Sequence, residues 1–308
     1  MKAFVFPGQG SQCVGMGRDL YKKNNTVRDI FNKVDDLLNY KLTKIMFEGP
    51  EDELRQTRNS QIAIFIYSYC LYQLLKILKN VQPDMAAGHS LGEYTALVSA
   101  EALTFDDALQ LVKVRAEAMQ SAATLNKGTM AAILGFNEMV VEDICSEVRA
   151  SIGIVQIANF NCPGQVVISG SPEAVDEAIK QIKERGVLFI KKLNVSGAFH
   201  SALMGTAQPK LAEALKETPI QSPKFPVYAN VTGIPFIDVE NIRLLLPKQL
   251  TSPVQWTKTV QQMISAGVDE IIEVGPGNVL QGLCRRISDK VILRGICDLA
   301  SIENFCGR

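Results

Sequence analysis

Histidine is scarce in this chain of 308 residues, which has it only at positions 89 and 200. The charge is balanced as well, with a formal net charge of +0 and no long basic run. Proteins that bind nucleic acid usually carry a basic patch or stripe, so the composition disfavours a nucleic-acid partner. Because there are only two histidines, any chemistry that needs an imidazole must use His89 or His200.

Long apolar runs and paired cysteines are lacking too. No stretch approaches the roughly 20 apolar residues of a membrane span. The N-terminal segment, residues 1–8, does not have the apolar core and cleavage region of a signal peptide. The seven cysteines are scattered and form no C-x-x-C pair, which argues against disulfides and a metal cage. We expect a cytoplasmic protein with no membrane association and no metal.

The segment 85–94 contains the pattern G-x-S-x-G, with Gly88, Ser90 and Gly92 at the fixed positions. This pattern is typical of a nucleophile elbow, in which a strand turns sharply into a helix. Glycine tolerates the close approach and the unusual φ that such a turn needs. A helix starting after Ser90 would point its N–H groups at a developing oxyanion. The alternative is a glycine-rich turn with an incidental serine.

A second glycine-rich segment follows the apolar strand Phe4–Phe6. Its glycines flank Gln9, which would let the backbone N–H of Gln9 approach a substrate oxygen. The alternatives are an ordinary loop or a phosphate cradle. The spacing is not G-x-G-x-x-G, so a dinucleotide site is not supported.

Arg115 falls on the apolar face of a predicted helix that opens with Thr104–Asp107, a candidate capping box. An arginine on such a face is costly unless its charge meets an anion. Snorkelling of the side chain, or an internal ion pair, would explain it. Recognition of a substrate carboxylate by the guanidinium fork is the other explanation.

His200 lies in the loop 196–201, before a predicted helix 202–215. A serine hydroxyl needs a base to attack at neutral pH, and histidine is the usual one. His89 is adjacent to Ser90 in the tight turn, and its side chain should point away from that serine. We therefore favour His200 as the general base, the alternative being a surface histidine.

The order of elements predicts an α/β protein with a large α/β-hydrolase-like domain around a parallel sheet. The strands and helices between residues 128 and 196 follow the order β-α-β-β-α-β, which is typical of a ferredoxin-like subdomain. We predict its strands at 129–134, 154–158, 165–169 and 187–193, with 159–164 as a turn. The large domain then comprises residues 1–127 and 197–308. Its later part includes predicted strands at 225–231 and 270–274.

Taken together, these motifs resemble the malonyl-CoA:acyl-carrier-protein transacylase family of dissociated fatty acid synthesis, and the related polyketide acyltransferases. The resemblance covers nearly the whole chain and depends on several motifs in the same order. They are Phe6–Gln12, Gly88–Tyr94, Arg115, Gly197–Ser201, Ser252–Trp256 and Glu273–Gly277. One departure is Ile62, which follows Gln61 where the family often has proline. We expect it to lie away from the chemistry.

The resemblance implies roles for individual residues. Ser90 would be the nucleophile that forms the acyl-enzyme, and His200 its general base and then acid. The backbone N–H groups of Gln9 and Leu91 would form the oxyanion hole, and Arg115 would pair with the malonyl carboxylate. Further implied positions are the backbone carbonyl of Gln249, which would accept from His200, and a substrate pocket with Met119, Asn161 and Phe199. Phe199 would occupy the volume that an α-methyl group needs.

The same resemblance implies the partners. Malonyl-CoA would be the donor and the phosphopantetheine thiol of holo acyl carrier protein the acceptor, with no cofactor and a monomeric enzyme. An acidic carrier would dock on a basic rim, for which the candidates are Lys191, Lys192, Arg285 and Arg286. A trans-acting acyltransferase that loads polyketide carriers is the nearest alternative. A serine thioesterase and a non-catalytic carrier-binding protein are the others.

Overall fold

The computed structural model describes residues 1–187 and 189–305. The strands are β1 Lys2–Phe6, β2 Met85–Gly88, β3 Thr129–Leu134, β4 Val155–Cys162, β5 Gln165–Gly170, β6 Phe189–Lys192, β7 Val227–Tyr228, β8 Glu270–Val274 and β9 Ile292–Ile296. The helices before β3 are α1 Arg18–Lys23, α2 Asn25–Leu38, α3 Leu42–Glu48, α4 Glu51–Arg55, α5 Thr57–Lys79, α6 Gly92–Ser99 and α7 Phe105–Leu125. Those after it are α8 Glu138–Ser151, α9 Pro172–Glu184, α10 Gln208–Glu217, α11 Val239–Gln249, α12 Trp256–Ser265, α13 Val279–Ile287 and α14 Leu299–Glu303, with a 3-10 helix at Ala202–Ala207.

The chain divides into two compact units. The first unit comprises 1–116, 219–228 and 263–308, and the second comprises 117–218 and 229–262. The second unit contains the whole of the segment 128–196 that the sequence predicts as a subdomain, together with flanking residues. The narrower boundaries at 128 and 196 stay a prediction.

A five-stranded parallel sheet forms the centre of the first unit, in the order β7-β2-β1-β8-β9. Strands β2 and β8 are buried along their whole length, and β1 from its second residue onward. Near-continuous apolar runs are typical of parallel strands covered on both faces. Phe6 at the end of β1 is paired with Gly88 at the end of β2. The loops after these two strands therefore leave the sheet side by side, where α/β proteins place ligands.

Helix α5 is the longest helix of the first unit, and its apolar run begins at Ile62. By length and composition alone it could cross a membrane, so the sequence-based prediction that no run approaches that length is wrong. In this structure 72% of its most apolar window is buried inside the protein. Core helices of soluble proteins pass the same test of length and composition.

A four-stranded antiparallel sheet in the order β4-β5-β3-β6 belongs to the second unit. The connected elements run β3-α8-β4-β5-α9-β6, as the sequence predicts. Helices α8 and α9 pack on one face of this sheet. Their shared core includes Val141, Ile144, Val155, Ile168 and Ile182.

Two sequence-based boundaries in this unit are wrong. Asn159–Cys162 was predicted as part of a turn, but strand β4 continues through these residues to Cys162. Irregular register between Ile157 and Cys162 obscures the alternating pattern there, and Asn159 also bridges to Val254. The predicted helix 202–215 is a 3-10 helix followed by α10, because Pro209 lies in the first turn of α10.

In the first unit, the predicted strand 225–231 is reduced to β7, which has only two residues. The next residues form other structure: Ala229 N–H donates to the carbonyl of Ile234, which closes a turn. Strand β9 and helix α14 were not predicted at all. Strand β9 lies at the edge of the sheet and is mostly half-buried, so its sequence lacks the continuous apolar signal of β1 and β8.

Candidate active site

Ser90 lies at a sharp turn between β2 and α6. Its φ is 52°, in the left-handed region that L residues seldom adopt. A Cβ on Gly88 would lie 1.8 Å from the carbonyl carbon of Gly92, and one on Gly92 would lie 2.0 Å from the carbonyl oxygen of Phe6. Only glycine fits at either position. The structure thus has the strand, turn and helix of the nucleophile elbow that the sequence predicts.

The loop after β1 packs directly against this elbow. A Cβ on Gly8 would lie 2.4 Å from the carbonyl oxygen of His89, so the two backbones are in contact. The loop is closed by the Ser11 hydroxyl, which donates to the Gly8 carbonyl at 2.7 Å. Gln9, whose side-chain Nε2 donates to Thr57 Oγ1 at 3.4 Å, lies within this loop. The predicted oxyanion donors, Gln9 and Leu91, are therefore on two neighbouring segments of one unit.

Arg115 projects from α7 into the interior of the first unit, with only 1% of its surface exposed. One guanidinium nitrogen, Nη2, donates to Ser90 Oγ at 3.0 Å, and Nη1 donates to Gln61 Oε1. The guanidinium carbon lies 5.7 Å from the centre of the Tyr94 ring, within the range of a cation–π contact. A snorkelling arginine keeps its charged group in water, so that interpretation is wrong.

The electrostatics around Arg115 are those of a buried cation. Burial lowers the pKa of its guanidinium, and the neighbouring Tyr94 and Glu93 oppose this shift. Arginine nevertheless stays protonated in proteins. Burial also raises the pKa of the Tyr94 phenol, so that this ring is neutral at physiological pH. A buried positive charge bonded to a candidate nucleophile is suited to an acyl group that carries a carboxylate.

Sequence reasoning missed Gln61 and Tyr94. In the sequence, Gln61 draws attention only as the residue before Ile62, which is expected to lie away from the chemistry. The structure puts Gln61 in contact with Arg115 and leaves none of it exposed. One feature of the sequence could have indicated this role: Gln61 directly precedes the apolar run Ile62–Phe65. A glutamine buried with such a run needs hydrogen-bond partners inside the protein.

His200 belongs to the second unit, and 4% of its surface is exposed. Its φ is 57°, again in the left-handed region. Its Nδ1 lies 2.8 Å from the backbone carbonyl oxygen of Gln249, at the end of α11. A carbonyl oxygen can only accept, so Nδ1 carries a hydrogen, and in the neutral imidazole Nε2 is then the nitrogen that can act as a base. The contact of His200 with Gln249, expected from the resemblance, is present.

The three residues expected in a substrate pocket are all buried and all belong to the second unit. Met119 is on α7, Asn161 on β4 and Phe199 directly before His200, and they are exposed by 1%, 8% and 5%. Nearby, Gly197 lies against α7: a Cβ there would be 2.5 Å from the Cβ of Ala123. The loop that carries His200 therefore needs glycine at that position. The substrate contacts of the three residues stay a prediction.

The four residues expected to dock a carrier protein are exposed. Lys191 and Lys192 are on β6 of the second unit, and Lys192 Nζ lies 2.5 Å from Asp176 Oδ1. Arg285 and Arg286 are in the last turn of α13, in the first unit. Because Asp176 already neutralises Lys192, that lysine contributes less positive charge to a rim than the sequence suggests.

The candidate residues thus form two sets, each within its own unit. Ser90, Arg115, Gln9 and Leu91 belong to the first, and His200 with Gln249 to the second. Among residues 1–187 and 189–305 there is no group of three or more histidine, cysteine, aspartate or glutamate side chains placed to hold a metal ion.

Comparison with known proteins agrees with this architecture. The model of the acyl transferase domain family matches residues 3–291. The malonyl CoA-acyl carrier protein transacylase of Bacillus subtilis (strain 168) is 40% identical over 301 residues, which cover 98% of this chain and 95% of that protein. The solved acyl-carrier-protein-S-malonyltransferase of Bartonella henselae is 41% identical, with a TM-score of 0.92 and coverage of 98% and 97%. A malonyl-transacylase solved in complex with a type II PKS acyl-carrier protein is 39% identical, with a TM-score of 0.93 and coverage of 98% and 97%.

Proposed function

Because this chain belongs to the acyl transferase domain family, we propose that it transfers a malonyl group from malonyl-CoA to the phosphopantetheine thiol of holo acyl carrier protein. The relatives named above, about 40% identical over almost the whole chain, act as malonyl transferases by their names. The observation that carries the proposal is the bond from Arg115 Nη2 to Ser90 Oγ, within a buried site. It provides a cation for the malonyl carboxylate beside the nucleophile.

In the proposed reaction, Ser90 Oγ attacks the thioester carbonyl while His200 Nε2 takes the serine proton. The backbone N–H groups of Gln9 and Leu91 donate to the oxyanion of the tetrahedral intermediate. The carbon–sulfur bond then breaks, and the CoA sulfur leaves with the proton that His200 returns. The carrier thiol attacks the malonyl-serine ester in the same way, with His200 again as base and then acid. The hydrogen bond from Nδ1 to the Gln249 carbonyl supports this role, because in the neutral imidazole it selects the tautomer in which Nε2 can accept the serine proton.

Selectivity for malonyl groups is proposed to depend on Arg115 together with the buried side chains Met119, Asn161 and Phe199. The bulk of Phe199 next to His200 would exclude an α-methyl branch. Arg115 would recognise the carboxylate through its guanidinium fork, whose parallel N–H donors match the two oxygens of a carboxylate.

The test of this function is the intact mass of the protein after brief mixing with malonyl-CoA. We expect a malonyl adduct that is absent in Ser90→Ala and that moves to holo acyl carrier protein when the carrier is added. An adduct that is lost equally fast without carrier would instead identify a thioesterase. No adduct at all would mean that the fold is that of the family but the function is not, as in a non-catalytic carrier-binding protein.

A second pathway is favoured by one of the comparisons. The similar malonyl-transacylase in complex with a type II PKS acyl-carrier protein makes polyketide carriers candidate acceptors here as well. The fatty acid pathway and the polyketide pathway are distinguished by measuring kcat/KM for a fatty acid carrier and for a polyketide carrier under the same conditions. A preference of more than tenfold would assign the pathway.

For carrier docking we propose the exposed arginines Arg285 and Arg286, with Lys191, while Lys192 contributes less because of its contact with Asp176. Exposed charge pairs are individually weak and act mainly on association rates. Reversing both arginines to glutamate should raise KM for the carrier and leave malonyl-CoA loading unchanged. Equal loss of both half-reactions would contradict the assignment.

We further propose that the enzyme is cytoplasmic and monomeric and needs no cofactor, and that residues 128–196 form an inserted ferredoxin-like subdomain. The order β4-β5-β3-β6 and the alternation of strands and helices support the last point. Hydrogen exchange on the whole chain would test it, because a subdomain should open as one cooperative segment with bounds near 128 and 196.

A further inference from the structure

Gln156, on strand β4, makes three hydrogen bonds with the segments around the proposed general base. Its Nε2 donates to the backbone carbonyl of His200 at 3.1 Å and to that of Thr251 at 3.2 Å. Its Oε1 accepts from the backbone N–H of Ala202 at 3.3 Å. One amide side chain therefore connects β4 to the His200 loop and to the end of α11. All of these residues belong to the second unit.

The His200 backbone needs such support. Its φ of 57° places a residue other than glycine in the left-handed region. That conformation is strained and persists only where the surroundings enforce it. The two bonds of Gln156 to the carbonyl of His200 and to the N–H of Ala202 hold the chain directly after this conformation. They fix the direction of the chain at the base.

The second connection concerns the acceptor of the histidine ring. Thr251 is two residues beyond Gln249, whose carbonyl oxygen lies 2.8 Å from His200 Nδ1. Gln156 thus ties together the two segments that form the Nδ1–H···O bond. A further side chain, Gln208, also holds this region through the carbonyl of Pro247 and the hydroxyl of Thr251.

Strand β4 is a rigid base for Gln156. Its neighbours Val155 and Ile157 point into the core beneath α8 and α9, and Gln156 is paired with Ser169 of β5. Side chains alternate across a strand, so Gln156 must leave the sheet on the opposite face. The ladder is regular at Gln156, and its irregularities begin only after Ile157.

We propose that Gln156 is a positioning residue that holds His200 and the carbonyl of Gln249 in the geometry of the Nδ1–H···O bond. Gln156 touches no reacting atom. It acts through the tautomer and the direction of His200, the group to which the proposed function gives the proton transfers. The proposal therefore depends on that function for its catalytic consequence, whereas the hydrogen bond itself can be measured without any substrate.

The first readout is the imidazole spectrum of protein labelled with ¹⁵N-histidine. Only His89 and His200 contribute to it, and His89→Gln assigns the two rings. In the unaltered protein we expect a low-field Nδ1–H proton for His200 that exchanges slowly. In Gln156→Leu, which keeps the approximate size and removes both polar groups, this signal should weaken or disappear. The matched control is Gln181→Leu, because Gln181 is also half-buried in the second unit but bonds to Glu177 of its own helix.

The second readout is the rate of malonyl-serine formation. In Gln156→Leu we expect kcat to fall about 10- to 100-fold, the range typical when a catalytic group is misplaced or loses the group that orients it. KM for malonyl-CoA should stay unchanged, because the residues proposed to bind the malonyl group are intact. A merely structural role would lower the melting temperature without changing either the imidazole signal or kcat of the folded protein.

Gln156→Glu covers the case in which the leucine variant does not fold. It keeps the acceptor for the Ala202 N–H and loses the donor to the two carbonyls, so it should also lose the His200 signal. A folded variant of either kind that retains both the signal and the rate overturns the proposal. If the unaltered protein shows the signal but transfers no malonyl group, the proposed function has failed. The response of the signal to Gln156 variants then still decides the positioning role.

Discussion

The contact between Gln61 and Arg115 leads to a sharp prediction about selectivity. Gln61 Oε1 accepts a hydrogen bond from Arg115 Nη1, and both side chains are buried. The acceptor is a neutral amide, so this hydrogen bond adds no negative charge next to the guanidinium, on which the charge of Glu93 already acts. Gln61→Glu replaces the amide by a carboxylate of nearly the same shape. A carboxylate next to a guanidinium is ionised at neutral pH, because the opposite charge lowers its pKa.

The size of the effect follows from Coulomb's law. The introduced carboxylate lies on the Nη1 side of the guanidinium, and a malonyl carboxylate on the Nη2 side would be about 6 Å from it. At an effective dielectric constant of about 20, two like charges at that separation repel by about 3 kcal/mol. Affinity changes tenfold per 1.4 kcal/mol, so malonyl-CoA should bind about 100-fold more weakly. Acetyl-CoA carries no carboxylate and should be almost unaffected.

The assay is acylation of Ser90 in a single turnover, followed by intact mass at increasing concentrations of malonyl-CoA or acetyl-CoA. Gln61→Met is the first control, since it removes the acceptor but adds no charge. It should lower stability by about 1.5–3 kcal/mol while keeping the preference for malonyl. Gln73→Glu, half-buried on the same helix, is the second control. If the glutamate and methionine variants of Gln61 lose the malonyl preference equally, the electrostatic reasoning is wrong.

Three further predictions concern Arg115, the glycines and Glu273. Arg115→Ala should lose malonyl transfer and gain relative activity with acetyl-CoA, and an unchanged ratio of the two rates would refute its role. Gly92→Ala should destabilise the protein by about 1–3 kcal/mol or more in urea unfolding, because its Cβ would overlap the carbonyl of Phe6. Gly282→Ala, inside α13 with no atom within 4 Å of its Cβ, should instead stabilise by about 0.5–1 kcal/mol. Burial raises the pKa of Glu273, although the backbone N–H groups of Gln281 and Leu280 oppose this. The folded state therefore holds this proton more tightly than the unfolded state does. As a result, the free energy of unfolding falls as pH rises above about 4.3 and becomes constant above the raised pKa. Urea titrations from pH 4 to 8 should show that this dependence on pH is lost in Glu273→Gln.

The sequence was most informative where a short segment determines its own geometry. G-x-S-x-G predicts the elbow at Ser90 because the two glycines and the turn lie within five residues, and the structure confirms it. The helical period placed Arg115 on an apolar face, and it is indeed buried. Its burial requires polar partners, yet their identity could not be read from that helix alone.

What the sequence did not reveal depends on contacts between distant residues. Gln61 is 54 positions from Arg115, and Gln156 is 44 positions from His200. Neither glutamine belongs to a local pattern, because an amide in a helix or strand is compatible with many surroundings. The continuation of β4 through Asn159 was missed for a similar reason, since its added pairing comes from Val254. Such features become predictable only when the tertiary neighbours are known.

In the hydrogen bonds described above, the acceptors next to Arg115 and His200 are neutral groups. Arg115 donates to an amide and a hydroxyl, and His200 Nδ1 faces a backbone carbonyl. In the Ser-His-Asp arrangement the histidine is oriented by a carboxylate, which also stabilises the imidazolium. A backbone carbonyl fixes the same tautomer but carries no full charge, so it stabilises the imidazolium less than a carboxylate does. Because this support is weaker, the proposed positioning of His200 by Gln156 becomes more important.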